Sequence, residues 1–324
     1  MTQQGRARAC ANIALAKYWG KSDETLNLPA VPSLSITLDA LVTETVVTLD
    51  PGLFEDEVLF DGVVRSGDDA TRAREMLGRI RERAGSAVCA RVETVNHFPT
   101  ASGLASSASG FAALAAAGAS AYGVDAPLEL LSAWARRSSA SAARSLYGGF
   151  VELSAGLPGD DSLSARVVAD AHHWDVCVVI ALASLERKKT SSRDGMLETA
   201  RTSPFYPAWL ACAPGYFLEV REGVLARDLE RVGEAMEAST FAMHASALAA
   251  RPAVRYYAAA TAVLLDCVES LRARGIAAYS TMDAGPHVKV LCMAGDALAV
   301  RDALVASGGA VDVRIARPGP GLTR

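Results

Sequence analysis

Five stretches of this chain carry side chains suited to chemistry on an anionic small molecule. Late in the chain, Tyr279-Ser-Thr-Met-Asp-Ala-Gly-Pro-His287 reads as a strand ending on an aspartate, with a Gly-Pro turn holding the Asp283 carboxylate at its tip. A carboxylate so placed can orient a hydroxyl or accept its proton. Aspartates that only close turns are common, so Asp283 gains weight from its company. Arg144 is a single arginine in a run of small residues, Ser138-Ser-Ala-Ser-Ala-Ala-Arg-Ser145. There it can reach into a cleft without crowding, and its planar fork suits a carboxylate.

Lys17 and Lys21 bracket an aromatic pair in Lys17-Tyr-Trp-Gly-Lys21. Both can neutralise phosphate or carboxylate groups. The cluster Arg187-Lys-Lys-Thr-Ser-Ser-Arg-Asp194 ends on the helix-capping pattern Ser191-x-x-Asp194. Within it, Arg187 and Lys189 read as a solvated face. The fifth stretch is Pro99-Thr-Ala-Ser-Gly-Leu-Ala-Ser-Ser-Ala-Ser-Gly110, which follows a strand and opens a helix. Its small side chains let backbone N–H groups approach an anion, and a helix N-terminus adds partial positive charge. Ser102, Ser106, Ser107 and Ser109 supply hydroxyls for phosphate or Mg²⁺. Neither Gly-x-x-x-x-Gly-Lys-Ser/Thr nor Gly-x-Gly-x-x-Gly occurs in this loop.

The elements that must position these groups follow from periodicity. Arg6 to Tyr18 and Val42 to Leu49 read as strands, and Val58 to Val64 as a hairpin turning on Asp61-Gly62. Ala70 to Arg83 has helical spacing, Ala87 to Val95 reads as a strand, and an alanine-rich helix runs to Tyr122. Pro127 opens a further helix. Strands resume at Gly149 to Leu153 and Val176 to Ala183, Ser192 to Arg274 is mostly helical, and Tyr279 to Asp283 and Val288 to Met293 flank a turn. Ala297 to Ser307 reads as a last surface helix. Strands dominate the first half and helices with a small sheet the second. That predicts an α+β protein in two lobes, residues 1–184 and 185–324.

Composition narrows the classes. The 324 residues are 51% hydrophobic, ample for a core, and the net charge of -4 argues against nucleic-acid binding. Six scattered cysteines with no CxxC pair point to reduced core thiols rather than a metal site. No signal-type apolar segment opens the chain, and Phe111 to Ala121 is too short to span a bilayer. These features predict a cytoplasmic protein with no membrane partner.

Several motifs together resemble a known family. Pro-x-x-x-Gly-Leu-x-Ser-Ser-Ala is similar to the ATP-binding loop of the GHMP small-molecule kinase superfamily. Four further segments resemble the mevalonate diphosphate decarboxylase family within it: Ala11-Asn-Ile-Ala-Leu-Ala-Lys-Tyr-Trp-Gly-Lys21, Ser138 to Phe150, Lys188-Lys-Thr-Ser-Ser-Arg-Asp-Gly-Met196, and Tyr279 to Val290. The resemblance spans Ala11 to the last strands. The chain departs from it at Ser138 and Ala140, where the family has glycines, at Ala143 in place of Cys or Ser, and at His287 in place of Asn. Phe241-Ala-Met-His244 also matches, with His244 in a structural role.

The resemblance implies a two-lobed GHMP-kinase fold, with an N-terminal lobe like ribosomal protein S5 and a helix-rich α/β sandwich lobe. It implies ATP and Mg²⁺ as cofactors, mevalonate 5-diphosphate as substrate, a homodimer, and formation of isopentenyl diphosphate with loss of CO₂. Asp283, Arg144, Asn12 and Lys17 would be catalytic. Tyr18, Lys21, Ser139, Ser141, Ser192 and Arg193 would bind substrate. Asn96, Ser102, Gly103, Leu104, Ala105, Ser106, Ser107 and Lys188 would bind ATP, with Ser106 and Ser107 on the metal side. The alternatives are a mevalonate 5-phosphate decarboxylase and a non-catalytic ligand sensor of the same fold.

Overall fold

A computed structural model describes residues 3–98, 106–186 and 189–324. The chain opens with β1 (Gln4–Ala16), the short ribbon β2 (Lys21–Asp23) and β3 (Leu28–Pro29), and the long β4 (Ser33–Leu49). β5 (Glu57–Phe60) and β6 (Val63–Val64) form the hairpin read from Asp61-Gly62. Both turn residues take positive φ, 51° and 76°, as a tight hairpin turn requires. α1 (Asp68–Ala84) begins with Asp68 and Asp69, ends near Arg81 and Arg83, and stops on left-handed Gly85. Those charges complement the helix dipole, and its buried stripe Ala70, Ala73, Leu77, Ile80 keeps the helical period.

β7 (Ala90–Asn96), α2 (Ser106–Ala121), α3 (Leu128–Ser138), a 3-10 turn at Ala140–Leu146, β8 (Phe150–Leu153) and β9 (Arg166–Ala169) complete the first unit. Its sheet runs β6-β5-β7-β4-β8-β9, with β1 also antiparallel to β4 from Gln4 opposite Thr48 to Ala16 opposite Leu34. β5 and β7 are parallel. α2 lies tightly on this sheet: a Cβ on Gly5 would stand 2.1 Å from the Ala117 carbonyl oxygen. Alanines along α2 permit that approach, and most of them are fully buried.

The second unit comprises β10 (Val176–Leu182), α4 (Ser192–Thr202), α5 (Tyr206–Ala226), α6 (Leu229–Leu248), α7 (Ala259–Ala273), β11 (Ala278–Thr281), β12 (Val288–Met293), α8 (Ala297–Ala306) and β13 (Asp312–Ala316). Its four-stranded sheet is ordered β11-β12-β10-β13. β10 is apolar throughout because both its faces are covered. Val178, Ile180 and Leu182 face α5, α6 and the first sheet, and Cys177, Val179 and Ala181 face α7 and α8. β10 precedes the lobe break expected at 184/185, yet its ladder partners β12 and β13 both come from beyond it.

The sequence reading differs from the structure in places. β4 starts at Ser33, nine residues before the expected Val42. Ser33 and Ser35 made that stretch look polar, but both are fully buried and serve the site. β9 and β13 were not read, being short and half-exposed. The strand before Asp283 ends at Thr281, so the aspartate sits in the turn itself. Ser138 and Ala140 need no glycine: among the described residues, the non-glycine positions with positive φ are Asn27, Asp61 and Arg227.

Candidate active site

The elements meet around a cleft of about 880 Å³. Asn12, Lys17, Tyr18, Lys21, Asn96, Ser106, Ser107, Ser139, Ser141, Arg144, Ser192, Arg193 and Asp283 all line it. Residues so distant in sequence converge because β1 ends here, α2 and α4 begin here, and the turn after β11 points in. Ser102, Gly103, Leu104, Ala105 and Lys188 lie outside the described residues.

Asp283 stands between two buried lysines. Lys17 Nζ donates to Oδ1 at 2.8 Å and to the Ala14 carbonyl at 2.9 Å. Lys289 Nζ lies 3.1 Å from Oδ2. That contact is an ion pair without the alignment of a hydrogen bond. The lysine side chains are 1% and 0% exposed, while Asp283 keeps 24% of its side chain open to the cleft. Burial by itself would raise the Asp283 carboxyl, but the Lys17 and Lys289 ammoniums hold it well below the usual carboxylate range. Lys17 itself is pushed down to about 8 by burial, against the upward pull of Asp283. The sequence reading allowed Lys17 a ligand phosphate or carboxylate; its partner is the protein's own Asp283.

Arg144 sits on the 3-10 turn, almost fully buried. Nε donates to Ser35 Oγ at 2.9 Å and Nη1 to Ser33 Oγ at 2.6 Å. Both partners are neutral, and no carboxylate pairs with it among the described residues. Burial pushes its guanidinium down to about 10. A buried cation held only by hydroxyls is set to receive an anion. Asn12 Nδ2 donates to the Ser141 carbonyl at 3.0 Å and to Ser145 Oγ at 2.8 Å, tying β1 to the Arg144 turn. Asn12 Oδ1 is buried with no hydrogen-bond partner among the described residues.

A second group of cations gathers at the other side. Lys21 is pushed down to about 8, first by burial and then by nearby Arg193. Arg193 reaches over the cleft to within 3.8 Å of Asp68 and is 44% exposed. Tyr18, whose hydroxyl is buried without a hydrogen-bond partner among the described residues, and the Ser139–Ser141 pair, 3.1 Å apart, lie between the two groups. Ser191 caps α4: its Oγ accepts from the Asp194 N–H at 3.0 Å, so the helix start carrying Ser192 and Arg193 is anchored. Gly20 fixes the Trp19-Gly-Lys21 turn. Its φ is 101°, and a Cβ there would stand 2.0 Å from the Tyr206 hydroxyl.

At the mouth of α2, Ser106 and Ser107 line the cleft, whereas Ser109, read as a phosphate donor, is fully buried and bonded to Thr43 Oγ1 at 2.6 Å. Asn96 accepts from the same Thr43 hydroxyl at 2.6 Å. Val58, Phe60, Val92 and Phe111 add an apolar wall here. Among the described residues, no group of three or more His, Cys, Asp or Glu is placed to hold a metal. Mg²⁺ takes water and phosphate oxygens readily, so hydroxyls at Ser106 and Ser107 fit an ion that arrives with its nucleotide.

Sequence reasoning missed several groups. Lys289 had a signal: it is the one charged residue in Val288-Lys-Val-Leu-Cys-Met293. Arg72 lines the cleft, donates to the Ser138 carbonyl at 2.6 Å and lies 4.9 Å above the Phe111 ring. It looked like one of many surface charges on α1. Ser33 and Ser35 were hidden in an unread strand. His244 is buried between Tyr256 and Tyr257, and desolvation pushes it down to about 4. His287 is fully buried, and its Nδ1 accepts from the Ala183 N–H at 3.2 Å.

Comparison with known proteins identifies the family. Residues 9–164 match the diphosphomevalonate decarboxylase-like N-terminal domain, and residues 178–307 the mevalonate 5-diphosphate decarboxylase C-terminal domain. The diphosphomevalonate decarboxylase of Candida albicans is 34% identical over 87% of this chain and 82% of its own length. The human enzyme of that name is 35% identical over 88% of this chain and 76% of its own. The mevalonate diphosphate decarboxylase structure from Staphylococcus aureus superposes with a TM-score of 0.93 at 36% identity, covering 100% of this chain and 98% of that one. The structure of MDDEF in complex with MVAPP, AMPPCP and magnesium gives 0.92 at 39% identity, covering 100% and 99%. The α+β, GHMP-kinase-type fold read from sequence therefore holds. The cations and the clamped aspartate of this cleft are those of a chain that belongs to the mevalonate 5-diphosphate decarboxylase family.

Proposed function

We propose that this chain performs the reaction its family is named for, the ATP-dependent decarboxylation of mevalonate 5-diphosphate. The products are isopentenyl diphosphate, ADP, phosphate and CO₂. The observation that carries this reading is the pairing of Arg144 and Asp283 in one cleft. One is a buried cation awaiting a carboxylate; the other is a carboxylate already clamped and facing outward.

Each demand of the substrate meets a group of the right type. Arg144 takes the substrate carboxylate, and Asp283 engages the C3 hydroxyl. Tyr18, Lys21, Ser139, Ser141, Ser192, Arg193 and Arg72 receive the diphosphate. The apolar wall and Asn96 suit the nucleotide base, and the N-terminus of α2 suits its phosphates. Ser106 and Ser107 would hold Mg²⁺ together with those phosphates, and the ion supplies charge neutralisation when bound.

Phosphoryl transfer passes through a loose transition state, so positioning and charge carry most of the catalysis. Asp283, held ionised, orients the hydroxyl. The hydroxyl proton leaves late in the transfer, through Asp283 to phosphate oxygens or water, and Asp283 is anionic again as phosphate departs and positive charge grows at C3, which it stabilises. Arg144 keeps the carboxylate in line for CO₂ loss. Retention of both Lys21 and Arg193 favours a diphosphate over a monophosphate.

The test is an assay with ATP and either mevalonate 5-diphosphate or the 5-monophosphate, scoring ADP and CO₂ together. Equal ADP and CO₂ with the diphosphate is the expected result. ADP without CO₂ would make the protein a kinase, and neither would make it a binding module. We further propose that the lobes divide between residues 169 and 176 rather than at 184/185, because β10 pairs within the second sheet. No helix among the described residues is long and apolar enough to cross a membrane. A homodimer is carried over from the family resemblance.

A further inference from the structure

We propose that Lys289 is a positioning residue for the reaction, acting through Asp283 rather than touching substrate. The inference rests on the function proposed above and deepens it. Lys289 is 0% exposed and sits inside β12, between Val288 and Val290. It does not line the cleft, and its Nζ has no hydrogen-bond partner among the described residues. Its one ion pair among the described residues is with Asp283 Oδ2 at 3.1 Å. Burying an ammonium is costly, and an apolar side chain at this strand position would avoid that cost.

Neutralising Asp283 does not require it, because Lys17 already pairs with Oδ1 at 2.8 Å. The second ammonium does two other things. It places a positive charge 3.1 Å from the second oxygen, so turning the carboxylate about its bond to Cβ would give up that attraction. It also makes the buried set cationic: Lys17, Lys289 and Arg144 against Asp283 alone give a formal excess of two positive charges. The groups facing Asp283 are Lys17 from the end of β1, Lys289 from β12, Arg144 from the 3-10 turn and the neutral imidazole of His244 from α6. A carboxylate so surrounded gives up any proton it receives. It thus serves as a permanent charge that orients the hydroxyl and meets the developing positive centre. Lys289 is what keeps Asp283 in that role when Lys17, which lines the cleft although its side chain is 1% exposed, also answers to ligand charges.

The test uses Lys289→Met and Lys289→Gln in the full chain, with steady-state kinetics and ¹³C NMR of aspartate-labelled protein. The Asp283 carboxyl signal is assigned by its loss in Asp283→Asn. The expected result is a kcat lower by about tenfold or more, KM values for both substrates within about twofold, and the Asp283 titration moved up by about one pH unit. An unchanged kcat overturns the proposal. So does a lower kcat with an unmoved carboxyl titration, which would mean that Lys289 only packs. If neither variant folds, Lys289→Arg decides by keeping the charge while moving it: a kcat and a carboxyl titration that change together support the clamp, and a change in kcat with an unmoved titration, or no change in kcat, overturns it. The carboxyl titration needs no turnover, so it separates failure of this inference from failure of the decarboxylase reading.

Discussion

The two ends of the cleft treat charge in opposite ways. Around Asp283, the cations are buried and one carboxylate of the protein is already set among them, so the desolvation of these cations precedes any ligand. Around Lys21 and Arg193, the cations are half-buried or exposed and repel one another, and Lys21 is lowered to about 8 first by burial and then by Arg193. The first region is preorganised for a transition state, where fixed charge counts most. The second waits for a multiply charged anion and becomes comfortable only when one binds. Chemistry and affinity are thereby separated along one cleft, and substitutions in the two regions are expected to separate kcat from KM.

The largest expected effect breaks the first region. Asp283→Asn should lower kcat by about a thousandfold or more while leaving the substrate KM nearly unchanged. A near-normal kcat in that variant would remove Asp283 from the chemistry. Arg144→Ala comes next. It should reduce kcat/KM by about a hundredfold through both terms, and Arg144→Lys should recover little, because an ammonium cannot reproduce the fork held by Ser33 and Ser35. Unchanged kinetics would place Arg144 outside the site.

The second region should respond in KM. Lys21→Met or Arg193→Met should raise the diphosphate KM about tenfold with a kcat within about threefold, and added salt should narrow the gap from wild type. Lys21 also sets a pH dependence. Its charge is present below about 8 and lost above it, so diphosphate affinity should weaken as pH rises through that value. In Lys21→Met this alkaline weakening should be reduced; an identical profile in both proteins would assign it to another group.

Smaller effects fall on stability. His244 is depressed from the usual 6.5 to about 4, so the unfolded chain takes up a proton that the folded one refuses between those values. Stability is therefore full above about pH 6.5 and falls toward pH 4, by on the order of 3 kcal/mol from this residue. Denaturant melts should show His244→Asn with a flatter profile than wild type over that range. The smallest change is Ser191→Ala, which should cost about 1 kcal/mol through loss of the α4 cap, read as a lower Tm, with a modest rise in diphosphate KM.

The legible parts of the molecule were local. The Asp61-Gly62 hairpin, the α4 cap and the start of α2 each depend on a few adjacent residues, and each was readable. β4 was cut short because Ser33 and Ser35 look like surface residues until a buried arginine is placed against them. Of the site, Asp283, Arg144, Lys17, Tyr18, Lys21, Ser139, Ser141, Ser192 and Arg193 were legible because they lie in contiguous motifs, and all reach the cleft. Arg72 was not, because it resembles the many other charges of α1.

The sequence by itself determined which side chains are available: one aspartate on a Gly-Pro turn, one arginine among small residues, paired lysines around Tyr18-Trp19, and a helix start rich in serine. Only the tertiary structure decided how they are used. Lys17 turned from a phosphate candidate into a partner of Asp283, and Ser109 from a phosphate donor into a core hydroxyl bonded to Thr43. Lys289 moved from an unremarked strand residue to a place 3.1 Å from Asp283 Oδ2. The reason is physical. A charge's role depends on its distance to other charges and on the water removed from between them, and both are set by strands that meet more than two hundred residues apart.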